Sequence, residues 1–152
     1  MKEKHFWWLA TILWCTLIFI QSSKPAVVSD AQSLHIVMVI NHWFSRVVGK
    51  EITPLNNFML RKAAHFTEYL ILGFFLAKAL ASGASLRYAF HYALLAGIIY
   101  AGLDEFHQYF VPGRAMLFCD VMLDSAGVLC GDAIGLGLRL ERWRAHAMET
   151  KR

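Results

Sequence analysis

No C-x-x-C pair and no H-E-x-x-H helix occurs in this chain, and no Ser-Gly-His element is followed by a Ser-Arg, His and Asp run. The first two absences remove the zinc knuckle and the metalloprotease helix. The third removes the signature of the phosphatidic-acid phosphatases. Cysteine is scarce: Cys15, Cys119 and Cys130 are odd in number and lie in apolar stretches. That excludes a disulfide framework and reads as small buried hydrophobes. Charge is scarce as well. Charged residues make up 17 % of the chain, against roughly 25 % in ordinary soluble domains. The net charge of +4 comes from basic residues at the termini and in loops, and no aromatic-plus-basic strip is present to read bases. Nucleic acid is therefore not an expected partner.

What the chain has instead is hydrophobic length. Hydrophobic residues reach 57 % of 152, and a bilayer crossing needs about 20 mostly apolar residues. The pattern predicts an all-α membrane protein of one domain, 1–152, with four spans near 6–23, 63–81, 88–106 and 117–138. The first run also has the form of a signal peptide, but Trp7, Trp8 and Trp14 make it bulky and no A-x-A site follows, so a retained span is expected. A long loop joins the first and second spans. Within it, 34–48 has the composition of an interfacial helix, and Pro54 with Asn56-Asn57 marks a turn. The basic tail, with Arg139, Arg142, Arg144, Lys151 and Arg152, predicts that both termini lie on the cytoplasmic side of the membrane.

That topology gathers the polar residues at one level. Ser22-Ser23-Lys24-Pro25 closes the first span and Arg61-Lys62 opens the second, with His65, Glu68 and Tyr69 following. Asp104-Glu105, His107 and Gln108 close the third, Pro112-Gly113-Arg114 turns after it, and Asp120 and Asp124 open the fourth. Lys62, His65, Glu68 and Tyr69 share one helical face. Asp104 and Gln108 share a face with Gly97 and Ala101. Asp120 and Asp124 continue the stripe of Gly127, Gly131 and Gly135, and small residues at this spacing let helices approach closely in lipid. A charge at the bilayer centre costs on the order of 2.5–3.5 kcal/mol on insertion scales. These groups are expected to face one another, and His65, Glu68, Asp104, Arg114 and Asp120 are expected to converge. Deeper in the bundle, Lys78 and Asp132 are expected at similar depth and within pairing reach.

The ordered motifs S-S-x-P, R-K-x-A-H-F-x-E-Y-x-x-x-G, D-E-x-x-Q-x-F-V-P-G-R and D-V-x-x-D-x-x-G-x-x-x-G, at Ser22, Arg61, Asp104 and Asp120, resemble the VanZ-like family of bacterial membrane proteins. The family is named for a protein linked to resistance to teicoplanin, a glycopeptide that binds cell-wall precursors. The resemblance implies a role in the cell envelope. It supplies no reaction and no catalytic residues.

Three readings of the cluster stay open. In the first, Arg61, Lys62 and Arg114 hold the phosphate of an anionic envelope lipid or wall precursor. His65 and Glu68 then form an acid–base pair, Asp104, Asp120 or Asp124 orients a base or accepts a proton, and Glu105 and Gln108 line the rest. In the second, His65, Glu68, Asp104, Glu105, His107, Asp120 and Asp124 are drawn on to bind a metal ion, although no motif demands a cofactor. In the third, Lys62 and Arg114 neutralise Glu68, Asp104 and Asp120 in a purely structural network. Whether any reaction is catalysed is left open, as is the oligomeric state. The remaining histidines, His5, His35, His42, His91 and His146, have no partner pattern.

Overall fold

In a computed structural model, residues 2–149 are described, with side chains for 3–141. Five helices follow one another and no strand occurs among the described residues: α1 Lys2–Ser22, α2 Ala26–Val48, α3 Asn57–Ala81, α4 Leu86–Gln108 and α5 Phe118–Glu149. Four stretches are long and apolar enough to cross a membrane: Glu3–Ser22, Asn57–Ala81, Leu86–Gln108 and Phe118–Glu141. They coincide with the four expected spans. The second begins six residues earlier than hydropathy alone suggests, because Asn56 caps it by accepting the Met59 N–H at 2.8 Å. The basic tail beyond Glu141, which motivated the expected orientation, lies outside the described side chains.

The long loop is largely a helix. α2 runs for 23 residues, starting at Ala26 rather than near residue 34. It ends at Gly49, whose φ of 71° is the left-handed cap that glycine adopts without strain. The return segment 50–56 is laced back onto α2. Asn41 exchanges hydrogen bonds with the backbone of Leu55, and Ser45 does the same with Ile52. Asn41 and Ser45 are one turn apart, so a single polar edge of α2 holds the segment. The charges Asp30 and Arg46 and many other polar groups keep α2 from reading as a span.

α3 and α5 form the most closely packed pair and run parallel. Along α5, Gly127 lies against Phe66 and Tyr69, Gly131 against Leu70 and Phe74, and Gly135 against Phe74 and Ala77. Val128 is fully buried and fills the hollows left by Gly73 on α3 and Gly97 on α4. Each missing side chain is thus a place where another helix sits, the packing mode expected in lipid. α1 joins through its aromatic face. Trp14 donates its indole N–H to the Glu68 carbonyl at 2.8 Å, and the Tyr100 hydroxyl donates to the Cys15 carbonyl at 2.6 Å.

Two expectations change here. Cys119 and Cys130 are exposed, and only Cys15 is partly buried, because both lie off the α5 stripe that meets α3. Lys78 and Asp132 do not pair. The Lys78 ammonium lies 5.5 Å from the Phe74 ring and borders a recess with Glu3, Lys4 and Trp7. Asp132 is wholly buried with neither oxygen hydrogen-bonded, and the ionisable group acting on it is His91 of α4. The two side chains leave their helices on different flanks.

Candidate functional site

The polar residues gather where α1 and α4 end and α3 and α5 begin. Asp104 lies at the centre of one network. Its Oδ2 accepts the Ser22 hydroxyl at 2.8 Å and the Gln108 amide at 3.1 Å. Gln108 is held in turn by Arg114, whose Nη1 donates to its Oε1 at 3.1 Å. Arg114 reaches this position because Val111-Pro112-Gly113-Arg114 is a tight turn. The Arg114 N–H bonds the Val111 carbonyl at 3.1 Å, and Gly113 adopts a φ of 76°. Proline at the second position and glycine at the third fit that geometry. From the turn, Arg114 Nε donates to the Lys24 carbonyl at 3.0 Å and Nη2 to the Gln21 carbonyl at 3.4 Å. The guanidinium therefore ties the end of α1 to the end of α4.

A second group lies between α3, α4 and α5. His65, Glu105 and Asp124 each bring one ring nitrogen or carboxylate oxygen within 4.8 Å of the other two. Asp124 and Glu105 are both fully buried. Glu105 Oε2 accepts the Leu117 N–H at 3.0 Å. Its other oxygen, both oxygens of Asp124 and His65 Nδ1 have no hydrogen-bond partner among the described residues. His65 Nδ1 and Asp124 Oδ2 are 3.8 Å apart, an ionic separation too long for a hydrogen bond.

The basic residues divide into two kinds. Arg61 pairs with Asp30 of α2 at 2.6 Å, and Lys62 pairs with Asp120. Arg114 and Lys24 meet no carboxylate at ion-pair distance. All of Arg114's bonds go to neutral oxygens, and Lys24 donates to the Gln32 side chain at 3.2 Å. Burial lowers the pKa of the Arg114 guanidinium from its usual value, and the nearby Arg61 charge acts in the same direction. It nonetheless stays protonated at any physiological pH. A cavity of about 180 Å³ lies over this region, bordered by α1, α2, α3 and the turn. Lys24, Arg61 and Arg114 line it, against a single carboxylate, Glu68. With Arg61 neutralised by Asp30, Lys24 and Arg114 against Glu68 still leave it electropositive.

Of the residues expected to converge, His65, Glu68 and Arg114 share this cavity, and Asp104 connects to it through Gln108 and Arg114. Asp120 stands apart with Lys62 in a neighbouring recess that His65 and Arg61 also border. His107 turns away, contacting Ser23 Oγ at 3.0 Å and lying against the Phe19 ring. Arg61 and Lys62, expected to be available for phosphate, are already paired. The sequence places Lys24 in the first polar cluster without giving it a binding role, and the reading passed over Asp30 and the α2 residues Ser29, Gln32 and Ser33 that wall the cavity. Their spacing of i, i+3 and i+4 is a polar helical stripe, and reading 26–33 as helix would have found it.

A family model described as VanZ/LLP1 matches residues 7–138. That range takes in all four spans and both polar groups. No curated protein and no solved structure matches the chain.

Proposed function

The chain belongs to the VanZ/LLP1 family and is a multi-pass membrane protein, and from that premise we propose that its electropositive cavity binds the phosphate of an anionic envelope lipid or wall-precursor group. The observation that carries this reading is the state of Arg114 and Lys24. They are partly buried cations that line one cavity and have only neutral partners. A buried cation costs free energy unless an anion meets it, and a guanidinium presents two parallel N–H donors to phosphate. A purely structural network accounts for the Arg61–Asp30 and Lys62–Asp120 pairs. It does not account for cations left without carboxylates beside a cavity.

In this reading the protein sits in the bacterial cytoplasmic membrane with both termini inside and the cavity on the outer side. A headgroup held there is one that a glycopeptide would otherwise meet, so altered teicoplanin susceptibility is the expected phenotype. Orientation has its own check. In a background without the native cysteines, a cysteine replacing Tyr109, an exposed residue of the α4–α5 turn, should react with an impermeant maleimide in intact cells. Labelling only after permeabilisation would reverse the topology.

The binding experiment uses the full chain in neutral detergent, titrated with short-chain phosphatidylglycerol and with phosphatidylcholine of equal acyl length. Phosphatidylglycerol should bind about tenfold tighter or more, and the difference should shrink as salt screens it. Inorganic phosphate competing for the site would identify phosphate itself as the recognised group. Equal affinity for the two lipids would overturn the proposal.

A further inference from the structure

We propose that His65, Glu105 and Asp124 form a binding site for one divalent transition-metal ion of the zinc or manganese kind, set against the electropositive cavity. Three ligand atoms from three helices lie within 4.8 Å of one another. Metal–ligand bonds of roughly 2.0–2.2 Å need these atoms somewhat closer, an adjustment within the reach of side-chain rotation. One imidazole nitrogen with two carboxylates is a borderline-to-hard donor set that suits these ions.

The independent observation is the unmet bonding of the group. Asp124 is 0 % exposed, is directed at His65 and Glu105, and has no hydrogen bond to either oxygen. Glu105 Oε1 and His65 Nδ1 are equally without partners. Protonating the carboxylates removes their charge but leaves the problem. A neutral acid has an O–H that itself needs an acceptor, and the Asp124 oxygens have no hydrogen-bond partner among the described residues. Lys62 is engaged with Asp120, and Arg114 with Gln108 and the α1 carbonyls. A protonated His65 would offset the Asp124 charge, but at 3.8 Å it gives Asp124 no hydrogen bond. A single metal ion would meet one atom of each of the three residues at once. The Leu117 N–H, bonded to the other oxygen of Glu105, fixes that carboxylate from behind as outer contacts of metal ligands do.

The site stands on these atoms alone and does not require that the cavity bind a lipid. Its test therefore contains no lipid. The untagged full chain, stripped with chelator in detergent, is dialysed against Zn²⁺ or Mn²⁺ and its metal counted by mass spectrometry. About one ion per chain should be retained. Asp124→Asn and Glu105→Gln should each weaken binding by about 100-fold or more, since even outer-contact losses cost 10–100-fold. His91→Gln, outside the group, should leave it unchanged. Should the buried variants fail to fold, Co²⁺ substitution in the unmodified protein gives a second reading. Bound Co²⁺ should show visible bands distinct from the hydrated ion and displaced by Zn²⁺. Retention of no ion, binding unaltered in folded Asp124→Asn, or a Co²⁺ spectrum identical to the hydrated ion would each overturn the proposal.

Discussion

Gly131→Leu should abolish the folded bundle, while Gly102→Ala should leave it intact. A methyl at Gly131 would overlap the Leu70 carbonyl oxygen and stand 2.8 Å from both Leu70 C and Phe74 N. All three are backbone atoms of α3, so no side-chain rotation relieves the clash. The two helices must separate instead. Separation uncovers Val128, which depends on the same close approach to fill the hollows at Gly73 and Gly97. Overpacking a core costs roughly 1–3 kcal/mol when side chains can give way. Here backbone must give way, and a leucine adds three further carbons, so the loss should exceed that range. Gly102 has nothing within 4 Å of an added Cβ, and alanine is the better helix former. Melting in detergent and the yield of monodisperse protein read both outcomes. Normal yield and melting for Gly131→Leu would mean that α3 and α5 do not meet as described. Because α3 carries Lys62 and His65 and α5 carries Asp120 and Asp124, the Lys62–Asp120 pair and the His65–Glu105–Asp124 group should fail with the interface.

The same stripe explains how much could be read from the sequence. The period of Asp120, Asp124, Gly127, Gly131 and Gly135 identifies both a packing face and the direction of two carboxylates, because a helix cannot turn one toward its neighbour without the other. Span lengths followed from apolar runs for a similar reason: the bilayer imposes one length on every crossing. What escaped was the first part of α2, residues 26–33, ahead of the interfacial helix expected at 34–48. The polar edge of α2 fastens the return segment through Asn41 and Ser45 and walls the cavity with Ser29, Gln32 and Ser33. With polar residues this dense, 26–33 reads as loop. The pairing of cations escaped too. Periodicity gives the face on which Arg61 or Lys62 lies, but Asp30 is 31 residues away from Arg61 and Asp120 is 58 from Lys62. Only the fold determines which cation is neutralised and which meets no carboxylate. Arg114 was foreseeable as a turn residue folding back, while its neutral partners were not.

Arg114→Lys and Glu68→Gln should move anion binding in opposite directions while both proteins remain folded. Lysine keeps the charge at position 114 but cannot reach the Lys24 carbonyl and Gln108 together with a planar fork. These bonds have a charged donor, and losing one should lower stability by about 1.5–3 kcal/mol. Phosphate binding should fall as well. Loss of one bond of the fork to phosphate, also about 1.5–3 kcal/mol, corresponds to roughly 10–150-fold in affinity. Glu68 is the cavity's single carboxylate, so its charge opposes an incoming phosphate. Glutamine keeps the shape and removes the repulsion, and should bind phosphatidylglycerol more tightly. Any proton transfer that uses Glu68 would be lost in the same variant, so tighter binding with lost teicoplanin phenotype would point to chemistry beyond capture. If the cluster is only structural, the expected pattern differs. Each substitution then strands a partner and destabilises the protein, and binding falls in step with membrane abundance for both variants. Affinity for phosphatidylglycerol, melting in detergent and membrane abundance, measured together on the two variants, separate these outcomes. A parallel fall in all three would sink the cavity as a ligand site.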